Sequence, residues 1–393
     1  MEAKVAVFGL GHVGRPLAEA FARKGLPVVG VDTATEVREA LRARWKGERL
    51  RVTGDASQIG NPEACLLALP TPVRNGRTDL SAIFAVLESL MPRLRGKLLV
   101  LESTVPPGTT EETLAPWLEK RGFRPGREVF LAYSPERINP GSGPPLEEIP
   151  KLIAGVTEAC LNRALQLYRQ VFRVLVPVSR PWVAEMAKVV ENTFRNLNIA
   201  FVNEVLQICM RKGLSTEEVL RACATKGFGF MRFTPGLGVG GNCIPLAPLY
   251  LAETARKLGL EPRLSLLGAR INDEMPGFWV NALEEALNGL QRKQVLVWGV
   301  TYKPGVSDTR HSPALIFLEA LEERGARAHF WDPLVQEVAL SGEKRQAVHP
   351  EAQDWDAVVL VHSFPEEARS RLRARVWVDV RAGELRTWKE GEQ

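Results

Sequence analysis

The sequence predicts an α/β protein, with two doubly wound parallel-sheet domains joined by a central helical domain built on one long helix. Three observations predict it. Short apolar runs of strand length alternate with helical stretches from Lys4 to about Val176. Trp182 to Lys212 then contains neither Pro nor Gly, and a helix of that extent is roughly 45 Å long at 1.5 Å per residue. From Gln294 the alternation of apolar runs and helix resumes. Parallel strands need crossover connections, which helices supply. The expected domains are 1–178, 179–290 and 291–393.

In the first domain Lys4–Phe8 reads as a strand, Gly9–Gly14 (GLGHVG) as a turn, and Pro16–Lys24 as a helix closed by Gly25. Val28–Val31 is the second strand and ends in Asp32. Further strand candidates are Cys65–Leu69, Leu98–Leu101, Val129–Ala132, Leu152–Ala154 and Val174–Val176. Gly213 stops the long helix, and Ser215 with Glu218 forms a capping box for the next one. Residues up to about Gly289 read as mostly helical, apart from the glycine-rich stretch Gly236–Gly241. Val295–Gly299, Ala328–Trp331, Val358–Val361 and Val376–Val380 are buried-strand runs, with a helix from Pro313 to Arg324 among them.

Composition narrows the function classes. The 51 basic and 46 acidic residues give a net charge of +5, with the two signs interleaved. A mild excess without a basic stripe fits an anionic small molecule and argues against nucleic acid. No apolar run reaches membrane-spanning length. Met1–Gly14 shows no charged head or cleavage site, and the five cysteines show no disulfide spacing, so a cytoplasmic protein with reduced thiols is expected.

The glycine turn carries the first chemical reading. It follows a strand, opens a helix, and precedes a strand ending in an acid. Gly9 permits the tight turn, Gly11 lets the backbone approach a pyrophosphate, and Gly14 lets helix meet strand. The helix N-terminus faces the phosphates, with His12 and Val13 between the glycines. Asp32 is placed to accept ribose hydroxyls and to repel a 2′-phosphate, so the expected cofactor is NAD in a Rossmann-like domain, the alternative being a flavin or other nucleotide fold.

Other candidates are weaker singly. Lys188 and Asn192 lie four apart on one helix face; together they suit an oxyanion or a merely solvated face. Cys243 in GVGGNCIP follows glycines that leave a thiol approachable, or is buried in an ordinary turn. Thr104 and Gly108 (STVPPGTT) and Glu136 (YSPERINPG) follow strands, at the carboxyl edge where such sheets bind ligands. Lys303, Asp308 and Arg310 follow the first strand of the last domain, where cations suit phosphate.

In order and spacing, GLGHVG, LPTP at Leu69–Pro72, ESTVPPGTT, SPERINPG, AEMAKVVENTFRNLNIAFVNE, PGLGVGGNCIP, ARINDEMP and VWGVTYKP resemble the UDP-glucose/GDP-mannose dehydrogenase family over nearly the whole chain. The SPER form, ENTFRNLNIA and GGxCIP look most like its UDP-N-acetylhexosamine branch. The resemblance implies two successive oxidations at C6 with two NAD and no metal, through a thiohemiacetal and a thioester on Cys243. Lys188 and Asn192 would stabilise the alkoxide, and Glu136 and Thr104 would handle water. Pro70, Thr71, Thr104 and Arg310 would join the glycine turn and Asp32 around NAD. Arg137, Lys226, Arg232, Gly238, Gly240, Tyr302, Lys303 and Arg381 would join Glu136, Lys188 and Asn192 around the UDP-sugar. A homodimer through the helical domain is expected, because Val189, Val190, Phe194, Leu197, Phe201 and Val205 give the long helix more apolar length than one domain covers.

Three positions depart from the family pattern. Asn242 replaces histidine, Ala247 replaces the aspartate near the cysteine, and His311 stands where the family has glutamate. Ala247 motivates an alternative, a paralogue that binds NAD and nucleotide sugar but turns over poorly. UDP-glucose oxidation is a second alternative. A β-hydroxyacid dehydrogenase would need neither Cys243 nor the last domain.

Overall fold

The computed structural model describes residues 2–138, 143–241, 243–362 and 371–387. Asn242 and the 139–141 end of the SPERINPG run lie outside the described residues. The chain divides into two units, Met1–Glu191 with Leu249–Pro262, and Asn192–Pro248 with Arg263–Gln393. Segment 179–290 therefore contributes to both.

The first unit is built on strands β1 (Val5–Phe8), β2 (Val28–Val31), β3 (Leu50–Thr53), β4 (Ala64–Leu67), β7 (Leu98–Leu101), β8 (Phe130–Tyr133), β9 (Lys151–Gly155) and β10 (Leu175–Pro177), with a small hairpin of β5 (Val73–Arg74) and β6 (Arg77–Thr78) outside the sheet. The strand order is β10-β9-β8-β7-β4-β1-β2-β3. The helices of this unit are α1 (Gly14–Arg23), α2 (Thr35–Arg44), α3 (Ser81–Leu90), α4 (Ala115–Glu119) and α5 (Glu158–Tyr168). Alternate strand residues point to opposite faces. Val5, Val7, Leu66 and Val100 pack with Leu17, Phe21 and Ala164 of α1 and α5. Ala6, Phe8, Leu67 and Leu99 pack with Ile83 and Leu87 of α3. Burial on both faces explains why these strands read as continuous apolar runs.

One part of the sheet corrects the all-parallel expectation. Tyr133 pairs with Ala154 in antiparallel register, so β9 runs against β8, while β10 is parallel to β9. A parallel return needs a long crossover, usually helical. The β8–β9 connection holds, among the described residues, only the short turn Leu146–Glu148. The reversal brings Lys151, the first residue of β9, to the edge where β8 ends.

Helix α6 (Pro181–Lys212) has 32 residues and stops at Gly213, whose φ of +70° is left-handed. In α7 (Thr216–Ala224), the Ser215 side chain accepts from Glu218 N at 3.2 Å, as the capping box requires. Helices α8 (Cys243–Lys257) and α9 (Arg263–Leu287) follow. The second sheet comprises β11 (Gln294–Trp298), β12 (Arg327–Trp331), β15 (Trp355–Leu360), β16 (Ala374–Asp379) and β17 (Glu384–Thr387), in the order β12-β11-β15-β16-β17. The hairpin β13 (Glu337–Leu340) with β14 (Glu343–Gln346) lies apart, and α10 (Pro313–Glu323) packs Phe317, Leu318 and Leu321 into a core with Val295, Val297 and Trp279. The edge strand β17 is antiparallel to β16 and was not legible in the sequence.

Both sheets use the same turn after their first strand. Gly9 (φ +83°) and Gly299 (φ +97°) each leave the strand left-handed. Leu10 N donates to Asp32 Oδ2 at 2.8 Å, and Ala34 N to Asp32 Oδ1 at 2.9 Å. Val300 N donates to Asp332 Oδ2 at 2.9 Å, and Leu334 N to Asp332 Oδ1 at 2.8 Å. In each case an aspartate just past the second strand ties the glycine turn to its own loop.

Candidate active site

The glycine turn fits a dinucleotide. A Cβ at Gly9 would lie 2.3 Å from Ala68 O, and one at Gly14 would lie 1.8 Å from Gly9 O, so the protein itself demands both glycines. A Cβ at Gly11 would meet nothing within 4 Å. Gly11 opens toward the space a pyrophosphate would take. No side chain caps α1, and its first turn carries no acid, so its leading N–H groups suit an anion. His12 and Val13 are half-buried between these glycines. Both oxygens of Asp32 already accept one amide each, and each keeps a lone pair for ribose.

The neighbouring loops are sewn together at the same edge. Ser103 Oγ accepts Leu69 N at 2.9 Å and donates to Leu69 O at 2.7 Å. Thr71 Oγ1 donates to Thr104 O at 2.8 Å. Tyr250 of α8 donates to Thr71 O at 2.5 Å, and Thr254 Oγ1 donates to Pro107 O at 3.4 Å. Pro70 is exposed on the rim of this platform and Thr104 is half-buried.

Behind the platform lies a charge cluster that the sequence reading did not find. Lys151 Nζ donates to Glu102 Oε2 at 2.7 Å and to Glu136 Oε2 at 3.0 Å, with all three side chains buried. Tyr168 OH donates to Glu102 Oε1. Glu136 Oε1 accepts Arg137 N at 2.7 Å and Ile138 N at 2.8 Å. Arg137 itself pairs with Glu191 at 2.5 Å. Burial pushes Glu102 up to about 7, against the pull of Lys151 and with the help of Glu136. Burial works against the Lys151 ammonium, but the Glu102 and Glu136 carboxylates outweigh it and hold Lys151 above its ordinary value. The one sequence signal was a lysine opening an apolar strand run, KLIAG.

Lys188 and Asn192 are both buried in α6, which removes the solvated-face reading. Asn192 Nδ2 has no hydrogen-bond partner among the described residues. One turn before Lys188, Glu185 accepts Gly108 N at 2.6 Å and Thr110 N at 2.8 Å. Its position three residues before Lys188 was the only signal for it.

In the second unit Cys243 is exposed as the first residue of α8, so the buried-thiol reading falls. Helix N-termini favour negative charge. The glycines before it are packed against the loop after β11. A Cβ at Gly240 would lie 2.7 Å from Tyr302 Cβ and 2.8 Å from His311 O. One at Gly241 would lie 3.0 Å from the Tyr302 ring, and one at Gly238 would lie 2.3 Å from Asn272 O. Gly241 N donates to Arg310 O at 3.1 Å. Burial raises Tyr302 above its ordinary value, with Asp308 and Cys243 adding to the effect. Hydrogen bonds to Asp308 raise Arg310, and its Nη2 lies 2.7 Å from Asp308 Oδ2. Burial, then Arg195, lowers Lys303. Arg381 N donates to Asp379 Oδ1 at 3.0 Å. Lys226 lies over the Phe228 ring at 4.8 Å, and Arg232 pairs with Glu217. Both are exposed on the segment between α7 and the glycine run. Ala247 is wholly buried.

The open glycine turn, the uncapped α1 and the acid just past β2 define a dinucleotide-binding domain. Family models agree. The NAD binding domain of the UDP-glucose/GDP-mannose dehydrogenase family matches residues 34–172, the central domain 182–274, and the UDP binding domain 296–382. The chain is 37% identical to UDP-N-acetyl-D-glucosamine 6-dehydrogenase of Pseudomonas aeruginosa, over 84% of this chain and 83% of that protein. It is 33% identical to UDP-N-acetyl-D-mannosamine dehydrogenase of Pyrococcus horikoshii, over 92% and 90%. A UDP-glucose dehydrogenase structure from Pyrobaculum islandicum superposes with a TM-score of 0.83 at 28% identity, covering 97% of this chain and 98% of that one. The chain belongs to the UDP-glucose/GDP-mannose dehydrogenase family, whose members are oxidoreductases, and its cofactor is NAD. No helix among the described residues is long and apolar enough to cross a membrane.

Proposed function

We propose that this protein oxidises C6 of a UDP-N-acetylhexosamine, UDP-GlcNAc or UDP-ManNAc, to the uronic acid. The observation that carries the reading is the exposed Cys243 thiol at the head of α8, behind a glycine run that leaves it approachable. The names of the relatives support the sugar class.

NAD, held by the glycine turn and Asp32, supplies the hydride acceptor twice. The C6 alcohol first loses a hydride and a proton to become an aldehyde. The Cys243 sulfur then adds to the aldehyde carbon, forming an S–C bond and a tetrahedral oxyanion. Lys188 and Asn192 Nδ2, which has no hydrogen-bond partner among the described residues, are assigned to that oxyanion. Loss of a second hydride from C6 leaves a thioester on Cys243. Water attacks it, the S–C bond breaks, and the acid leaves with the thiol restored. Glu136 and Thr104 are assigned to that water, one carboxylate lone pair remaining beside its bonds to Lys151 and the Arg137 and Ile138 amides. Per sugar, one water is consumed and two NADH are produced. Tyr302, Lys303 and Arg381 are assigned to the UDP-sugar along with Arg137, Lys226, Arg232, Gly238 and Gly240, and Arg310 to NAD. The assignment divides the chain at 178 and 290 into NAD-binding, helical and UDP-binding parts.

The protein is proposed to work as a cytoplasmic homodimer. Val190, Phe194, Phe201 and Ile208 of α6 are exposed, Ile208 at 67%. A groove of about 290 Å³ lies between Leu197, Ala200, Phe201, Leu264, Leu267 and Ile271. A second copy would cover both.

A second reading is favoured by Ala247. General acid–base help is worth ~10²–10⁴-fold, and the buried methyl at this position offers none. A slow or binding-only protein would follow. The test measures NADH released per UDP-GlcNAc, UDP-ManNAc or UDP-glucose consumed, in wild type, Cys243→Ser and Ala247→Asp. Two NADH per N-acetylhexosamine in wild type and no acid from Cys243→Ser are expected. Full activity of Cys243→Ser rules out the covalent route, and no NADH from wild type or Ala247→Asp favours the binding-only reading.

A further inference from the structure

The loop that carries Thr104 is fixed at its far end by a residue of α6. Glu185 Oε2 accepts Gly108 N at 2.6 Å, and its Oε1 accepts Thr110 N at 2.8 Å and Thr110 Oγ1 at 2.6 Å. Thr110 N belongs to the π-helical turn Thr109–Leu114, and Gly108 immediately precedes it; no side chain of the N-cap residue caps this turn. Glu185 therefore does from another element what a local cap does elsewhere. Gly108 is left-handed at φ +97°, and a Cβ on it would lie 2.7 Å from Glu112 Oε2 and 3.2 Å from Trp182 Nε1. The turn is thus seated closely on α6, with Glu185 taking up its amides.

We propose that Glu185 is a positioning residue, whose carboxylate sets the Thr104 loop in register with α6 and so with Lys188, one turn further along that helix. The proposal rests on reading Thr104 and Lys188 as site residues. Its consequence is a pH dependence carried by Glu185 itself. Burial pushes Glu185 up to about 7, offset by the Thr110 and Gly108 hydrogen bonds and reinforced by Glu111. The charged groups around it are Glu111 and Glu112 on the turn, Lys188 on its own helix, and Arg180 at the head of α6, which lies 3.1 Å from Glu111. A proton on Glu185 turns one acceptor into a donor; the Thr110 hydroxyl can turn to accept it, but the Gly108 and Thr110 amides can only donate, so the carboxyl holds them less well. The loop then loses its anchor as the pH falls below neutral.

The experiment records kcat and KM from pH 5.5 to 9 for wild type, Glu185→Gln and Glu185→Asp, with melting curves for each. Wild type should show an acidic limb in kcat near pH 7. Glu185→Gln, which points an amide N–H at one of the donors, should lose roughly 10–100-fold in kcat, with little change in KM for the sugar and with the limb gone. Glu185→Asp keeps the charge one methylene short and should keep the limb at a reduced kcat. An unchanged limb in Glu185→Gln overturns the proposal. So does a wild-type kcat in Glu185→Asp, which decides the matter should Glu185→Gln not fold. Thr104→Ala and Lys188→Ala separate the two layers of argument. Full rates in both would sink the reading of the site, whereas loss of rate in both with an unmoved limb in Glu185→Gln would sink only the role of Glu185.

Discussion

Replacing Glu102 by glutamine removes one carboxylate from a buried cluster in which Lys151 faces both Glu102 and Glu136. Burial raises Glu102 from 4.5 to about 7. An acid whose folded value lies above its unfolded one binds a proton more tightly in the fold. Its contribution is fully present below pH 4.5 and is lost as the pH rises through about 7, the opposite of an ordinary salt-bridged carboxylate. Between pH 5 and pH 8 the loss is on the order of a few kcal/mol. Glutamine keeps the shape. Its carbonyl accepts from Lys151, its amide donates to the Tyr168 oxygen, and Lys151 is left neutralised by Glu136. The Glu102→Gln variant should therefore match or fall below wild type at pH 5 and gain on it steadily toward pH 8. Urea unfolding of the apo protein at pH 5, 6, 7 and 8 measures this. Glu185, also raised to about 7, is common to both proteins and cancels in the difference. Parallel stability curves over that range would refute the argument, because they would mean that Glu102 is ionised alike in the folded and unfolded chain.

Three other outcomes follow from the geometry. Gly14→Ala places a Cβ 1.8 Å from Gly9 O; it should cost at least ~1–3 kcal/mol and weaken NAD binding, read by melting temperature and by NAD titration. Asp32→Asn leaves one of two amides facing an N–H, so KM for NAD should rise roughly tenfold or more while KM for the UDP-sugar holds, and the wild-type preference for NAD over NADP should narrow. Phe201→Glu, at a residue 56% exposed beside the apolar groove, should convert a dimer to a monomer in light scattering at micromolar concentration; a wild-type monomer would remove the dimer proposal.

Local signals were legible in the sequence and long-range ones were not. The glycine turn, the extent of α6, its glycine stop and the Ser215 cap each depend on residues within one element, and each is where the sequence placed it. The reversal of β9 depends on a connection that holds no crossover helix among the described residues, and it leaves no periodic trace. Lys151, Glu102 and Tyr168 come together only because of that reversal, from a strand start, a strand end and a helix end. Glu185, Ser103 and Tyr250 act by touching distant backbone, and a spacing rule has no access to such contacts. Strand edges slipped by a residue: β8 runs Phe130–Tyr133 where Val129–Ala132 was expected, and β9 extends to Lys151 and Gly155, beyond the apolar run Leu152–Ala154.

Asp32 and Asp332 each use both carboxylate oxygens to hold a strand-to-loop turn that ligands of this fold class approach. The conformational entropy of those turns is thus surrendered when the chain folds and not when a nucleotide arrives. A ligand meets a loop already in shape, and its binding free energy is not drawn down by ordering it. Truncating either aspartate should therefore appear in calorimetry as a larger unfavourable entropy of binding, even where the enthalpy of the remaining contacts is kept.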